Sequence, residues 1–350
     1  MKYFDGHNDV LLKFYFEKNK DSAKEFFNGN DFCHIDFPKI LKSNFCGGFF
    51  AIFVPNEEPD DDFFKRMINE TYDFPLPNKI DQTYAKNATN EMISILNNII
   101  LQSNNKIKLC TSGKEINECI LDNKIAIILH IEGAEAIDKD FKNLYELYNK
   151  GLRSIGLVWS RNNIFANGVP FSYPSSPDRG EGLTDLGKDL VQICDEKHIL
   201  IDLSHLNQKG FYDIAKISNA PLIATHSNAH FITNHSRNLT NDQLITIKKS
   251  NGIVGINFAT SFLRKDGRMI PETSLDIITD HLEHLLNFLG ENNIALGSDY
   301  DGAIVPKDIS NISKIGNLCL HLKDKGYSKK LVEKIFYKNW ISFLEKNLVS

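Results

Sequence analysis

The sequence predicts an α/β protein built as a single (β/α)8 barrel of the TIM type with loop insertions. Eight short apolar segments of strand length alternate with segments of helical periodicity, an alternation typical of parallel sheets whose strands are joined by helices. Residues 199–239 contain this unit twice, with one apolar run ending in Ser204-His205 and the next ending in Thr225-His226. Eight such units are the number that closes a barrel of this class.

The predicted strands are apolar runs followed by polar residues. In chain order they cover residues 3–9, 46–54, 124–131, 154–159, 199–203, 220–225, 252–258 and 294–297. Apolar residues recur at helical spacing between them, which predicts helices from residue 10, over 83–102, 141–148, 183–197 and 210–218, from residue 240, and over 274–289.

Two stretches interrupt this alternation. Residues 55–80 are acidic and rich in proline, and residues 163–183 are crowded with Gly, Pro, Ser and Asn, so both are predicted as loop excursions. Residues 30–42 are polar and are expected to be irregular. Because no linker is evident, residues 1–350 are expected to form a single metal-dependent hydrolase domain, with closing helices over 312–347.

Composition excludes several classes of function. The formal net charge of −5 and the isoelectric point of about 6.1 argue against a nucleic-acid partner, which needs clustered Lys and Arg. The chain contains no run of about 18 apolar residues, the length needed to span a membrane. We also find no apolar segment of the kind that a signal peptide has near its amino terminus. The six cysteines show no CxxC spacing and are expected to be free thiols. We therefore expect a cytoplasmic protein without a membrane partner.

The candidate site residues follow the ends of predicted strands. Because these ends share one face of a barrel, six side chains should meet there: His7, Asp9, Glu132, His205, His226 and Asp299. Each has a structural alternative when considered alone. Asp9 could cap the following helix, Glu132 could stabilise a helix amino terminus, and a histidine after a strand is often bonded to the backbone.

The number of candidate ligands exceeds what one metal ion needs. A zinc ion takes four ligands, of which water is often one, whereas this set offers three histidines and three carboxylates. Two ions bridged by a carboxylate fit the set better, and a pair about 3.5 to 4 Å apart activates a water and polarises a carbonyl. We therefore predict two Zn²⁺ ions per chain, with other divalent ions as an alternative.

Six motifs together resemble a known family. FDGHND, HIEGAEAI, DLSHL, ATHSNAH, HSRNLT and GSDYDG occur in this order between residues 4 and 302, and the pattern is similar to that of the renal (membrane) dipeptidase family of zinc peptidases, a branch of the amidohydrolase-like barrels. The resemblance implies a zinc-dependent dipeptidase that cleaves dipeptides with a free C-terminal carboxylate by a metal-bridging hydroxide. It also suggests a homodimer.

The resemblance implies specific roles for residues of this chain. The implied zinc ligands are His7 and Asp9 for the first ion, Glu132 for both, and His205 and His226 for the second. Asp299 would shuttle a proton to the leaving amine. Arg237 would hold the substrate's terminal carboxylate, a task that suits the planar guanidinium fork. Without the motif, a surface ion pair would be the favoured interpretation of Arg237.

The chain departs from the family pattern at two places. Animal members have a histidine that contacts the substrate carbonyl in a sequence resembling LTHSCN, whereas residues 157–162 read LVWSRN. Trp159 and Asn162 are therefore candidate substrate-binding residues, and polarisation of the carbonyl must depend on the metal or on Arg161 or Asn162. Glu135 replaces the histidine of the related EGGH motif, so the interactions behind the metal ligands are expected to differ.

Two other functions remain open from the sequence. The first is a binuclear metal amidohydrolase that acts on N-acyl amino acids or on another amide. The second is a non-catalytic barrel that keeps its metals for structure. The second alternative is disfavoured because all six candidate ligand and proton-transfer positions are filled.

Overall fold

The protein is described by a computed structural model that covers residues 1–17, 21–58, 60 and 62–349. Its strands are β1 (Tyr3–Asn8), β2 (Phe45–Phe53), β3 (Tyr72–Asp73), β4 (Ile107–Leu109), β5 (Ile125–Glu132), β6 (Leu152–Gly156), β7 (Ser172–Tyr173), β8 (Leu200–Asp202), β9 (Ile223–Ala224), β10 (Ile253–Ile256) and β11 (Ile294–Leu296).

The α-helices lie mainly between these strands. They are α1 (Val10–Phe16), α2 (Ser22–Asn28), α3 (Phe37–Ser43), α4 (Phe63–Arg66), α5 (Gln82–Gln102), α6 (Gly113–Leu121), α7 (Lys142–Asn149), α8 (Asp185–Glu196), α9 (Gln208–Ile217), α10 (Asn241–Lys249), α11 (Thr260–Leu263), α12 (Asp276–Leu289), α13 (Gly316–Asp324), α14 (Lys329–Glu333) and α15 (Asn339–Asn347). Single 3-10 turns occupy Lys307–Ile309 and Ile312–Lys314, and a π-helical turn, Lys334–Lys338, joins α14 to α15.

Eight parallel strands form a nearly closed barrel. Their order is β1-β2-β5-β6-β8-β9-β10-β11. The first and last strands approach each other through two backbone hydrogen bonds, from Asp9 N to Tyr300 O at 2.8 Å and from Asp299 N to His7 O at 3.0 Å. The predicted (β/α)8 barrel is therefore confirmed. The additional strand β4 pairs with Ile125–Ile127 of β5, a stretch that β6 does not reach.

Several barrel strands are shorter than the apolar runs that predicted them. The predicted strands 199–203 and 220–225 are represented by β8 and β9, which have only three and two residues. At their ends, side-chain bonds take over from the ladder: Asp202 Oδ1 accepts hydrogen bonds from Ser204 N at 3.0 Å and from Thr225 N at 2.8 Å. The polar residues that follow are thereby turned away from regular strand geometry.

The prediction that residues 30–42 are irregular is wrong, because α3 begins within them. Asp36 caps this helix by accepting a hydrogen bond from Lys39 N at 2.9 Å, and Pro38 occupies its first turn. Both features are standard helix-start signals. The short elements β4 and α6 were also not predicted.

The two predicted excursions meet each other. β3 lies in the first and β7 in the second, and they pair in antiparallel fashion with Tyr72 opposite Tyr173. Buried Tyr72 and Phe171 pack with Phe262 in an apolar cluster separate from the barrel core. Pro59 and Asp61, which fall within the first excursion, lie outside the described residues.

An apolar cluster inside the barrel closes the end opposite the strand carboxyl termini. It combines strand residues such as Phe4, Phe49 and Ile128 with Trp340 of α15. Trp340 is fully buried and donates a hydrogen bond from Nε1 to Leu296 O at 2.9 Å. The barrel therefore has one apolar, filled end and one polar end. In the described part of the chain, no helix has the length and apolarity needed to cross a membrane.

Candidate active site

The predicted site residues meet at the carboxyl ends of the barrel strands. His7 lies in β1, Glu132 ends β5, His205 follows β8, His226 follows β9 and Asp299 follows β11. Asp9 is the residue that precedes α1. In barrels of this class the loops after the strands form a single face, and the structure brings all six side chains together there.

Glu132 occupies the centre of the histidine cluster. Its Oε1 lies 3.0 Å from His205 Nε2, 3.3 Å from His226 Nε2 and 3.7 Å from His7 Nε2. The two Nε2 atoms of His205 and His226 are 3.1 Å apart. One carboxylate oxygen therefore faces three imidazoles, which is the arrangement expected of a ligand shared by two cations.

Asp9 and Asp299 form the second side of the cluster. His7 Nε2 lies 3.3 Å from Asp9 Oδ2, and ligand atoms of His7, Asp9 and Asp299 lie within 4.8 Å of one another. Asn257 donates a hydrogen bond from Nδ2 to Asp299 Oδ2 at 2.8 Å. A Cβ atom at Gly302 would overlap with carboxylate oxygens of Asp9 and Asp299, so this glycine leaves the space that the two acids occupy.

The electrostatics of the cluster favour a cation. Burial opposes protonation of His7, but Glu132 and Asp9 outweigh it and raise its pKa to about 10. Burial holds the pKa of His205 and of His226 well below its ordinary value, so both imidazoles are neutral, as metal ligands must be. Burial, and then the charge of Asp9, raise the pKa of Asp299 to about 6.

Buried atoms without partners also fit a metal. Within the described residues, His7 Nε2 and Asp9 Oδ1 are buried and have no hydrogen-bond partner, and buried polar atoms are rarely left unsatisfied. Imidazole nitrogens and carboxylate oxygens are the donor set that zinc accepts. The residues present therefore fit a divalent cation.

Hydroxyl groups contact the Nδ1 atoms of two histidines, the ring nitrogens that do not face Glu132. His205 Nδ1 is 2.9 Å from Ser160 Oγ, and His226 Nδ1 is 2.8 Å from Thr225 Oγ1. Such contacts fix the ring orientation of a metal-binding histidine. Here they leave both Nε2 atoms directed at Glu132.

His130 is a site residue that the sequence reasoning missed. It is fully buried, its ring centroid lies 5.5 Å from that of His7, and its Nε2 is 3.7 Å from Asp202 Oδ2. Its Nδ1 is 2.9 Å from Ser154 Oγ, and burial lowers its pKa to about 4. The signal was available, because His130 precedes Glu132 by two residues and alternate strand residues share a side.

Arg237 is buried beside the cluster and is not part of a surface ion pair. Its Nη2 donates to His226 O at 3.3 Å, and its guanidinium lies 5.3 Å from the centre of the Phe262 ring. Among the described residues it forms no ion pair, and its Nε has no partner. Burial lowers its pKa to about 10, against the opposing effect of Asp299 and Glu132.

The two departures from the family pattern are partners in the fold. Arg161 Nη1 donates to Glu135 Oε1 at 3.0 Å, and both side chains are buried. The same guanidinium donates to Val54 O at 3.2 Å and to Asn56 Oδ1 at 2.8 Å. The terminal nitrogens of Arg161 are therefore engaged by protein acceptors, whereas its Nε has no partner within the described residues, so a contribution of Arg161 to carbonyl polarisation stays a prediction.

Trp159 and Asn162 lie on the loop that follows β6. The Trp159 ring packs 5.9 Å from the ring of His205 and 4.9 Å from that of Phe53. Asn162 lines a cavity of about 430 Å³ whose wall also includes Asn167, Pro170 and Arg179. The structure thus separates the two residues: Trp159 contacts a metal-ligand candidate, and Asn162 faces a neighbouring cavity.

Comparison with known proteins gives consistent relatives. The family model described as membrane dipeptidase, peptidase family M19, matches residues 1–348. A metallopeptidase of Rhodobacter sphaeroides, solved with a phosphinate mimic of the dipeptide L-Ala-D-Ala, is 41% identical and superposes with a TM-score of 0.97 over 99% of each chain. A structure described as dipeptidase AC of family M19 is also 41% identical, with a TM-score of 0.97 over 100% of this chain and 99% of its own.

A more distant relative extends the same pattern. An uncharacterized dipeptidase of Schizosaccharomyces pombe is 28% identical over 321 residues, which are 91% of this chain and 73% of the relative. The family model covers nearly the whole chain, including every candidate site residue. The chain belongs to the membrane dipeptidase family, peptidase family M19, and is a metallo-dipeptidase.

Proposed function

We propose that the protein is a zinc-dependent dipeptidase that binds two Zn²⁺ ions and hydrolyses dipeptides with a free C-terminal carboxylate. The observation that carries the proposal is Glu132 Oε1, which faces the Nε2 atoms of His205, His226 and His7 at 3.0, 3.3 and 3.7 Å, next to a buried guanidinium. The dipeptide mimic bound by the Rhodobacter sphaeroides relative supports the substrate class. We further propose that residues 1–350 act as one hydrolase domain.

The proposed ligand assignment divides the cluster into two halves. His7 and Asp9 would hold the first ion, His205 and His226 the second, and Glu132 would bridge them. When bound, such a pair of ions supplies a Lewis acid and lowers the pKa of water. The neutral state of His205 and His226 and the central position of Glu132 support this division.

Arg237 is proposed to bind the terminal carboxylate of the substrate. It is a buried cation without an ion-pair partner in the described chain, so an incoming carboxylate would gain charge-assisted hydrogen bonds that no protein group now makes. Its hydrogen bond to His226 O fixes its distance from the metal ligands. This arrangement would direct cleavage to the peptide bond nearest the free carboxylate, which in a dipeptide is the only peptide bond.

Asp299 is proposed to move the proton. Its raised pKa, about 6, suits a carboxylate that takes a proton from the attacking water and returns it to the leaving nitrogen near neutral pH. Asn257 holds Oδ2, which leaves Oδ1 for the proton.

Trp159 and Asn162 are proposed to contact the substrate from the loop after β6. Trp159 would form an apolar wall, since its ring packs against His205, Phe53 and Phe171. Asn162 would contribute a polar group from the adjacent cavity. Neither residue supplies the imidazole that animal members use, so polarisation of the carbonyl would depend mainly on the metal.

Arg237→Met tests the carboxylate assignment. The variant should retain zinc but lose about 3 kcal/mol of substrate binding, which is roughly a 100-fold fall in kcat/KM that appears mainly in KM. Steady-state kinetics on a panel of dipeptides, with metal analysis, measure both effects. The matched control is Arg153→Met, which removes another buried arginine that donates to Tyr148 O and Thr111 O away from the site. Unchanged dipeptide kinetics in Arg237→Met would overturn the assignment.

The same panel separates the proposed activity from its rival. N-acyl amino acids carry a free carboxylate but no free α-amino group. If the wild-type protein cleaves only N-acyl amino acids, the dipeptidase proposal is wrong and the amidohydrolase alternative replaces it. The proposal is supported if the zinc-loaded protein cleaves dipeptides. Glu132→Gln and His226→Ala should then lose both this activity and their zinc.

A further inference from the structure

We infer that Thr225 is a positioning residue whose hydroxyl links the buried carboxylate of Asp202 to His226 and fixes the proton of that imidazole on Nδ1. The inference rests on the proposed function in one respect, since it concerns how His226 presents Nε2 to a cation. The hydrogen bonds that support it lie behind the candidate metal ligands and are formed by residues of the protein itself.

Asp202 provides the fixed end of this chain of contacts. It ends β8, is buried, and uses Oδ1 to accept hydrogen bonds from the backbone N–H groups of Ser204 and Thr225 at 3.0 and 2.8 Å. Its Oδ2 accepts a hydrogen bond from Thr225 Oγ1 at 2.5 Å. Backbone and side chain of Thr225 therefore bind the two oxygens of one carboxylate, which leaves the threonine little freedom to rotate.

The proton count then determines the role of the hydroxyl. A carboxylate only accepts, and a threonine hydroxyl has one proton to donate. That proton is directed to Asp202 Oδ2. The contact from Thr225 Oγ1 to His226 Nδ1, at 2.8 Å, must then be one in which the hydroxyl accepts and the imidazole donates. His226 is thereby held with its proton on Nδ1.

The consequence is at the other nitrogen of the ring. With the proton on Nδ1, Nε2 carries a lone pair, and this atom lies 3.3 Å from Glu132 Oε1 and 3.1 Å from His205 Nε2. The opposite tautomer would direct an N–H group into the same space and could not bind a cation. This chain of contacts from Asp202 through Thr225 to His226, here called the relay, therefore prepares His226 as a ligand before any ion arrives.

His205 lacks an equivalent constraint. Its Nδ1 faces Ser160 Oγ at 2.9 Å, and within the described chain this is the only hydrogen bond that the Ser160 hydroxyl makes. A hydroxyl with one partner can rotate to serve either tautomer. Nor does His130 compete for Asp202, because its Nε2 is 3.7 Å from Oδ2, beyond hydrogen-bond distance. The relay to His226 is thus specific.

Three variants separate the hydroxyl from the methyl group and from the carboxylate. Thr225→Val keeps the shape and removes the hydroxyl, and Thr225→Ser keeps the hydroxyl. In Asp202→Asn the amide oxygen must stay with the two backbone donors, so its NH2 group faces Thr225. The hydroxyl then has to accept from the amide and turns its proton toward His226 Nδ1, which favours the wrong tautomer.

Zinc affinity, measured by competition with a chelator, is the first readout. Thr225→Val should bind zinc about 10- to 100-fold more weakly, Thr225→Ser should stay within about threefold of the wild type, and Asp202→Asn should lose at least as much as Thr225→Val. Thr89→Val is the control, because it makes the same exchange at a buried threonine of α5 and should not alter zinc affinity.

The second readout is the tautomer itself, followed by NMR of the full-length protein labelled with ¹⁵N in histidine. We expect a protected Nδ1–H signal of His226 with and without zinc, present in Thr225→Ser and absent in Asp202→Asn. If Thr225→Val binds zinc like the wild type, or Thr225→Ser loses as much as Thr225→Val, the hydroxyl relay is refuted. A wild-type protein that shows the Nδ1–H signal but binds no zinc would refute the proposed function and leave the relay standing.

Discussion

Glu135→Ala is expected to destabilise the protein strongly, because it leaves the buried guanidinium of Arg161 without its carboxylate partner. Glu135 and Arg161 form an ion pair at 3.0 Å, with 2% and 0% of their side chains exposed. After the exchange, the guanidinium retains only the neutral acceptors Val54 O and Asn56 Oδ1. Removing one partner of a buried pair costs about 3 to 5 kcal/mol, far more than the pair itself contributes over an apolar replacement.

This free energy converts to a shift in melting temperature. Unfolding entropy amounts to about 2.1 cal/mol/K per residue, which for 350 residues is roughly 0.7 kcal/mol/K. A loss of about 3 to 5 kcal/mol therefore lowers Tm by about 4 to 7 °C. Glu135→Gln retains an acceptor for Arg161 and should cost only about 1 to 2 kcal/mol, or roughly 2 °C.

The measurement is thermal unfolding followed by circular dichroism at one scan rate, with saturating zinc in every sample. Arg161→Met and the double variant Glu135→Ala/Arg161→Met complete a cycle, in which the double variant should lose about 2 kcal/mol less than the sum of the single losses. Lys188→Ala, which breaks an exposed ion pair with Asp185, should leave Tm unchanged. A Glu135→Ala protein that melts within about 1 °C of wild type, or strictly additive losses in the cycle, would refute the reasoning.

Two further predictions concern the space around the acids and the dependence of stability on pH. Gly302→Ala should lower both activity and zinc content, because its Cβ would overlap with the carboxylates of Asp9 and Asp299; wild-type zinc stoichiometry and rate would contradict this. Burial lowers the pKa of His281 to about 4 from an ordinary 6.5, and its neutral ring bonds to Ala229 N and Leu263 O. The unfolded chain thus takes up this proton near pH 6.5 and the folded protein only near pH 4, so about 3 kcal/mol of stability should be lost as pH falls through that window. In urea unfolding, His281→Gln should have a lower free energy of unfolding than the wild type near neutral pH, and this free energy should fall less steeply between pH 6.5 and 4. An unchanged slope would disprove the role of His281 in this pH dependence.

The site was predictable to the extent that local pattern and barrel geometry determine it. Apolar runs identify the eight strands, and polar residues after such runs have to lie at the same face once the strands close into a barrel. This argument was sufficient to bring His7, Glu132 and His226 together across more than two hundred residues of chain. It did not identify His130, because only polar residues after the apolar runs were considered, and His130 lies within the run of β5, two residues before Glu132.

The sequence by itself determined the class of fold, the number of barrel strands, and the residues that gather at the ends of these strands, since these follow from periodicities of two and 3.6 residues and from the order of elements. Only the tertiary structure decided which distant side chains become partners. Three contacts illustrate this: the pairing of Glu135 with Arg161, the link from Asp202 through Thr225 to His226, and the contact between the two excursions. Each requires separate strands and loops to be placed so that polar atoms or rings come within contact distance, as in the 3.0 Å between Arg161 and Glu135. No local preference encodes such distances, because they arise when the whole barrel packs.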